Sequence, residues 1–441
     1  MKPIAGVIAI LILLTLFTTC APHKDVARID DPAYLHRSIK QVTDRIVHDI
    51  FSPPVASRIY AYVAVAAYEA ARHSDSTLIS LGGQLNGFDK VPEPEAGKEY
   101  AWDLASTQAS LAAAKAFIFS EKELADFQEK ILAEFRKSGI ADDVYDRSIA
   151  YGSQVAQAVI DWSGKDNYKQ TRSFPKYSIQ SSESSWKPTP PAYMDAVEPH
   201  WNKIRTFVID SASQFRCDPP PAFSKNPNSE FYKLAAEVYE IGKNLSTEQE
   251  NIARFWDCNP FVMNVRGHVM FATKKISPGG HWMNIVRVAC ETDKAPLGRS
   301  AEAYAYTALA LADGFIACWD EKYRSLLIRP ESYINQYIDP NWAPVLQTPP
   351  FPEYISGHSM ISAAAASALT HVFGENFAFT DSTEVEFGLT SRSFNSFYDA
   401  SNEAALSRLY GGIHYRLANE TGLKMGRQVG AFVLQEVHTR K

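Results

Sequence analysis

Lys322-Tyr-Arg-Ser-Leu-Leu-Ile-Arg329-Pro330 is followed along the chain by Ser356-Gly357-His358 and then by Ser407-Arg408-x5-His414. These blocks offer three fixed cations, two imidazoles, one hydroxyl and a glycine at the start of an Ala-rich run, Ser359 to Thr370. That run reads as a helix. A lysine gives a point charge, and an arginine gives a planar fork that matches two oxygens. Glycine allows close backbone approach, and the first N–H groups of a helix attract anions. The set therefore suits a highly charged tetrahedral oxyanion. One histidine would bond to its central atom and the other would move protons.

The order and spacing Lys-x6-Arg-Pro, Ser-Gly-His and Ser-Arg-x5-His resemble the three-block signature of the vanadium-dependent haloperoxidases and the related type-2 phosphatidic acid phosphatases. Ser391-Arg392 is a decoy, because Tyr398 stands where the histidine is needed. The resemblance covers roughly residues 186 to 441 and implies an all-α fold of two helical bundles, with the site in the C-terminal one. It implies vanadate as cofactor, held by Lys322, Arg329, Ser356, Gly357, His358 and Arg408, with His414 bonded to vanadium. Lys322, His358 and His414 are the implied catalytic residues, with His358 the acid–base partner. The implied reaction is oxidation of a halide, iodide or bromide, by hydrogen peroxide to hypohalite, which can pass to a small organic acceptor. The alternative is an acid phosphatase of the same superfamily, with His414 as nucleophile.

Trp319 and Phe351 stand where haloperoxidases place residues beside the vanadate and halide. Aromatic walls there would lower the local dielectric and strengthen ionic contacts. Two positions depart from the pattern. Ile355 replaces a common Pro. Ala418 replaces an Asp thought to steady the histidine of the third block, and Asn419 and Glu420 are out of register. Asp257 and Asn259, after Trp256, are expected to hold Arg408. His268, His281 and His371 match no motif position and read as structural.

Outward from these blocks the chain reads as helices. Apolar residues recur at helical spacing over Ile39–Phe51, Pro54–His73, Gly97–Phe119 and Ala141–Trp162, and a capping box at Ser120–Glu123 opens another helix. These form an N-terminal bundle over residues 30–165. Residues 166–226 are a Pro-rich connector, where Pro175, Pro188, Pro190, Pro191 and Pro219 to Pro221 forbid long helices. Residues 227–441 form the C-terminal bundle, with a second capping box at Ser246–Gln249, a long helix over Arg299–Lys322, and Ser382–Leu409 and Ala418–Val437 completing it.

The 441 residues, 46% hydrophobic and 21% charged, suffice for a large folded core. A net charge of −6 without a basic run argues against a nucleic-acid partner. Cys217, Cys258, Cys290 and Cys318 form no Cys-x2-Cys pair, and most lie in apolar surroundings that suggest buried thiols. Residues 1–20 read as a signal peptide: Lys2 precedes an apolar run, Ile4–Phe17, and Phe17-Thr-Thr-Cys20 resembles a lipoprotein cleavage site. The expected location is the cell envelope: periplasmic, anchored to the outer membrane through lipid on Cys20, or secreted. Cys20→Ala is expected to abolish lipid labelling and release the protein from membranes; unchanged labelling would show that Cys20 is not the lipidated residue.

Overall fold

The computed structural model describes residues 30–266 and 269–441, with backbone alone for 264–266 and 269–272. The segment read as a signal peptide, with Cys20, and His268 lie outside the described residues. Among the described residues fourteen α-helices dominate. The N-terminal half contains α1 (Pro32–His48), α2 (Pro53–Ala71), α3 (Trp102–Lys115), α4 (Glu121–Lys137), α5 (Asp142–Ser163) and the single turn α6 (Tyr168–Thr171). After the connector come α7 (Glu230–Lys243), α8 (Thr247–Phe255), α9 (Pro278–Asp293), α10 (Leu297–Ser325) and α11 (Pro330–Tyr337). The chain ends with α12 (Gly357–Phe373), α13 (Phe397–Tyr410) and α14 (Arg416–Glu436). Among the described residues no helix is long and apolar enough to cross a membrane.

Several local expectations change. Ser246 forms a full capping box with Gln249, but Ser120 does not form one. The Ser120 hydroxyl instead donates to Asp49 at 3.0 Å, tying the start of α4 to the end of α1. Pro330 opens α11, because its fixed φ and missing N–H suit the first helical position. Residues 382–396 form no α-helix and hold only a short 3-10 turn at Val385–Phe387. Two short antiparallel hairpins occur among the described residues, β1 (Met263–Arg266) with β2 (Val269–Ala272), and β3 (Phe379–Asp381) with β4 (Arg392–Phe394).

The two halves share one hydrophobic core, which runs from Leu35 to Val437. Helix α2 is its centre: all of its residues are buried, as expected for an Ala-, Val- and Tyr-rich helix with no polar face. It packs on α3 and α10, α10 packs on α12, and α12 packs on α14. The connector is pinned to α10 by Asp313, whose buried carboxylate accepts the N–H groups of Phe207, Val208 and Ile209 at 2.7–2.9 Å. Burial pushes this carboxyl up to about 6, against the pull of those three donors.

Helix α14 reaches α12 through a row of glycines. A Cβ on Gly422 would lie 2.8 Å from the Ser356 carbonyl, and one on Gly426 would overlap the Met360 carbonyl. Gly426→Ala is therefore expected to force α12 and α14 apart and destabilise the protein by about 1–3 kcal/mol. Chemical denaturation would read this as a lower midpoint, and an unchanged midpoint would contradict the tight contact.

Candidate active site

The three motif blocks converge. Lys322 lies in the last turn of α10, Arg329 caps α11, Ser356 caps α12, Arg408 lies in the last turn of α13, and His414 lies in the loop before α14. Lys322, Arg329 and Ser356 are 0% exposed and Arg408 is 2% exposed, so these cations sit in protein rather than at its surface. The decoy Arg392 lies elsewhere, paired with Glu403 at 2.7 Å.

Buried cations need partners, and here backbone carbonyls supply them. The Lys322 ammonium donates to the carbonyls of Pro352, Glu353 and Ile355 at 2.9, 3.0 and 2.6 Å. Its three protons are thereby engaged, so it enters the site as a held point charge. Arg329 donates to the carbonyls of Phe351 at 2.9 Å and Ile413 at 2.8 Å, and also to His414 Nε2 at 3.1 Å. Arg408 donates to the carbonyls of Trp256 at 2.6 Å and Ala253 at 3.4 Å. The expected partners of Arg408 do not bond it. Asp257 is drawn off by Lys275 at 2.5 Å, and Asn259 is engaged by Phe261 and Gln347.

Glu353 is the site residue that sequence reasoning missed. Its carboxylate receives His414 Nδ1 at 2.8 Å and the Tyr415 N–H at 3.0 Å. It thus takes the orienting role expected of an Asp at position 418. Ala418 is fully buried, with its carbonyl accepting the Ser356 N–H at 3.1 Å. Asn419 bonds Ser359 at 3.3 Å, and Glu420 is exposed. A carboxylate three residues before Ser356, inside Phe351-Pro-Glu-Tyr354, was the available signal.

Burial, reinforced by the neighbouring cations, holds both site histidines well below the usual imidazole range. Neutral His414 gives its Nδ1 proton to Glu353, leaving Nε2 with a lone pair. His358 bonds the Trp256 carbonyl, and its Nε2 is buried without a partner. Burial also lowers Lys322 to about 7 and Arg329 to about 10, and raises Glu353 to about 7.

The residues fit a tetrahedral oxyanion. Arg329 Nη2, like His358 Nε2, is buried with no hydrogen-bond partner. Ser356 accepts from the Ser359 N–H at 3.3 Å, and the two serine hydroxyls lie 2.8 Å apart. Gly357 lies against the same groups: a Cβ there would stand 3.6 Å from the Trp319 ring and 3.9 Å from Lys322 Cε. A tight cavity of about 30 Å³ is bordered by His358, Arg408 and His414 together with Trp319, Phe351, Phe261 and Phe315. The Trp319 and Phe351 rings lie 4.9 Å apart, with Lys322 Nζ 5.8 and 5.1 Å from them. Both expected aromatics therefore flank the cationic centre. His281, read as structural, lies behind it with its ring stacked 4.6 Å from that of Trp256.

Residues 302–440 match the VCPO second helical-bundle domain. Holo and apo structures of a bacterial vanadium-dependent chloroperoxidase share the fold, with TM-scores of 0.64 and 0.65 at 17% identity. They cover 88% and 87% of this chain, and 93% and 95% of theirs. The chain belongs to the vanadium-dependent haloperoxidases. Within them it is similar to a bacterial vanadium-dependent iodoperoxidase, at 49% identity and a TM-score of 0.88 over 94% of this chain and 98% of that one. Among curated proteins none is significantly similar. The phosphatase alternative is not favoured by these relationships.

Anion binding should depend on pH. Sulfate keeps its charge across the neutral range and serves as a probe. It favours protonated Lys322 and protonated Glu353, so affinity should be full below about 7 and fall as pH rises through it. Calorimetry should show this decline, with a shallower slope in Lys322→Met, where Glu353 alone titrates. Affinity that does not vary with pH would contradict these shifts.

Proposed function

We propose that this chain oxidises halide with hydrogen peroxide at this site, and that iodide is its halide. The observation that carries the reading is His414. Glu353 fixes its tautomer, so a neutral imidazole presents the Nε2 lone pair among three buried cations. Arg329, Arg408, Ser356, the Gly357 N–H and His358 would hold vanadate, with His414 Nε2 as its protein ligand. When bound, vanadate supplies a Lewis-acid centre that activates peroxide for two-electron oxidation without changing its own oxidation state.

The protein's own part is binding and proton control. The arginine forks and the first-turn N–H groups of α12 neutralise the anion. Lys322 adds positive charge close to the entering peroxide. His358 Nε2, neutral and unpartnered, takes a proton as peroxide enters. The Trp319 and Phe351 rings keep water from the reacting atoms. An aromatic wall also favours iodide, which gives up its hydration at least cost among the common halides. Similarity to the iodoperoxidase supports the same choice.

Protein loaded with vanadate is expected to oxidise iodide far faster than free vanadate does, as read by triiodide absorbance. His414→Ala should reduce the rate to that of free vanadate, and phosphate in the buffer should slow loading. Vanadate-saturated protein that oxidises no halide yet hydrolyses phosphate esters efficiently would overturn the proposal.

A further inference from the structure

Beside the anion site, whose cavity Cys258 also borders, lies a second cluster that the proposed reaction does not use. Cys258 follows α8, His281 sits in the first turn of α9, and Glu384 follows β3. Cys258, His281 and Glu384 are 1%, 0% and 5% exposed. Three ligand-type atoms converge there. His281 Nδ1 lies 3.3 Å from Cys258 Sγ and 3.0 Å from Glu384 Oε1, and the sulfur and that oxygen are 3.8 Å apart.

Two groups thus compete for one ring nitrogen. An ion pair between imidazolium and carboxylate needs no sulfur, yet the thiol is aimed at the same nitrogen. A cation at the centre would satisfy all three. Around tetrahedral zinc, with Zn–S near 2.3 Å and Zn–N and Zn–O near 2.0–2.1 Å, ligand atoms are separated by roughly 3.3–3.6 Å. The observed triangle brackets those edges before any adjustment. The opposite ring nitrogen, Nε2, lies 2.6 Å from Asp381, which is itself fully buried. A carboxylate on the far nitrogen of a metal-binding histidine fixes the tautomer that leaves the near nitrogen free to ligate.

We propose that Cys258, His281 and Glu384 form a site for a divalent transition-metal cation of the zinc type, with Asp381 orienting the histidine. The mixed sulfur, nitrogen and oxygen set suits borderline-soft zinc better than magnesium or calcium. Binding exchanges one divalent cation for two protons, one from the Cys258 thiol and one from His281 Nδ1, both released to solvent. The charge of the cluster is unchanged, so the nearby Arg408 meets no new repulsion. The site also has a consequence for the anion pocket. The Trp256 ring stacks on His281, while its carbonyl holds both Arg408 and His358. A metal here would brace the residue that positions two anion-binding groups. The inference rests on this geometry alone and stands whatever reaction the pocket performs.

The test uses the full chain, stripped with a chelator and titrated with cobalt(II), a spectroscopic substitute for zinc. One cobalt per chain is expected, with a thiolate-to-cobalt absorption band, release of two protons and displacement by zinc. The band should persist when vanadate fills the other site. Cys258→Ser should lose it, and Asp381→Asn, which keeps every ligand, should weaken binding roughly 10–100-fold. Circular dichroism would confirm that each variant is folded. The wild-type titration decides alone if a variant fails to fold. Absence of stoichiometric cobalt or of a thiolate band in the wild type, or a band that survives in folded Cys258→Ser, overturns the site.

Discussion

Three positive charges buried side by side constrain everything around them. Lys322, Arg329 and Arg408 have given up water, and leaving them unpaired would cost several kcal/mol each. The structure answers with carbonyl oxygens. The turn from Phe351 to Ile355 supplies Lys322 and Arg329, Ile413 supplies Arg329 again, and Ala253 and Trp256 supply Arg408. The paths of these loops are therefore set by electrostatics as much as by packing. The Glu353 carboxyl group adds the acidic partner, which orients His414 and accepts the Tyr415 N–H. One carboxylate beside three cations still leaves an excess of positive charge, and a tetrahedral anion completes the balance.

The connector makes the pocket rigid from outside. Asp313 clamps it to α10, and the Val197 carbonyl accepts from both the Trp319 indole at 3.1 Å and the Tyr323 hydroxyl at 2.6 Å. The Val197 N–H donates to the Pro350 carbonyl at 3.0 Å, just before Phe351. Both members of the aromatic wall are thus held through one short piece of irregular chain. A Pro-rich segment can do this because its backbone groups, unused by helix or sheet, remain free to bind others.

The sequence showed the long helices and the anion-binding groups because both leave signals at fixed spacing. The periodicity of α2 and α10 and the order of the three blocks are of that kind. Glu353 was hidden because its partner, His414, is distant in sequence, and no local pattern joins a carboxylate to a histidine across a loop. The expected bond from Asp257 to Arg408 is not made, for a related reason. Proximity in sequence suggested a bond to Arg408, but the Trp256 carbonyl reaches it and Lys275 takes the carboxylate. Cys258 read as an apolar thiol, and only folding brings His281 and Glu384 against it. Residues 382–396 read as helical because hairpins this short carry too few alternating residues to register.

The burial of α2 also bears on how the chain reaches this state. Every face of that helix is covered, yet α10, its main partner from the C-terminal half, begins more than two hundred residues later. During synthesis α2 leaves the ribosome with α3 at hand and one apolar flank uncovered until α10 follows. Contacts of such long sequence separation form slowly, because loop-closure entropy is paid before they stabilise anything. The flank of α2 that meets α10 is therefore among the last apolar surfaces to be covered, and exposed surface of that kind is what chaperones protect.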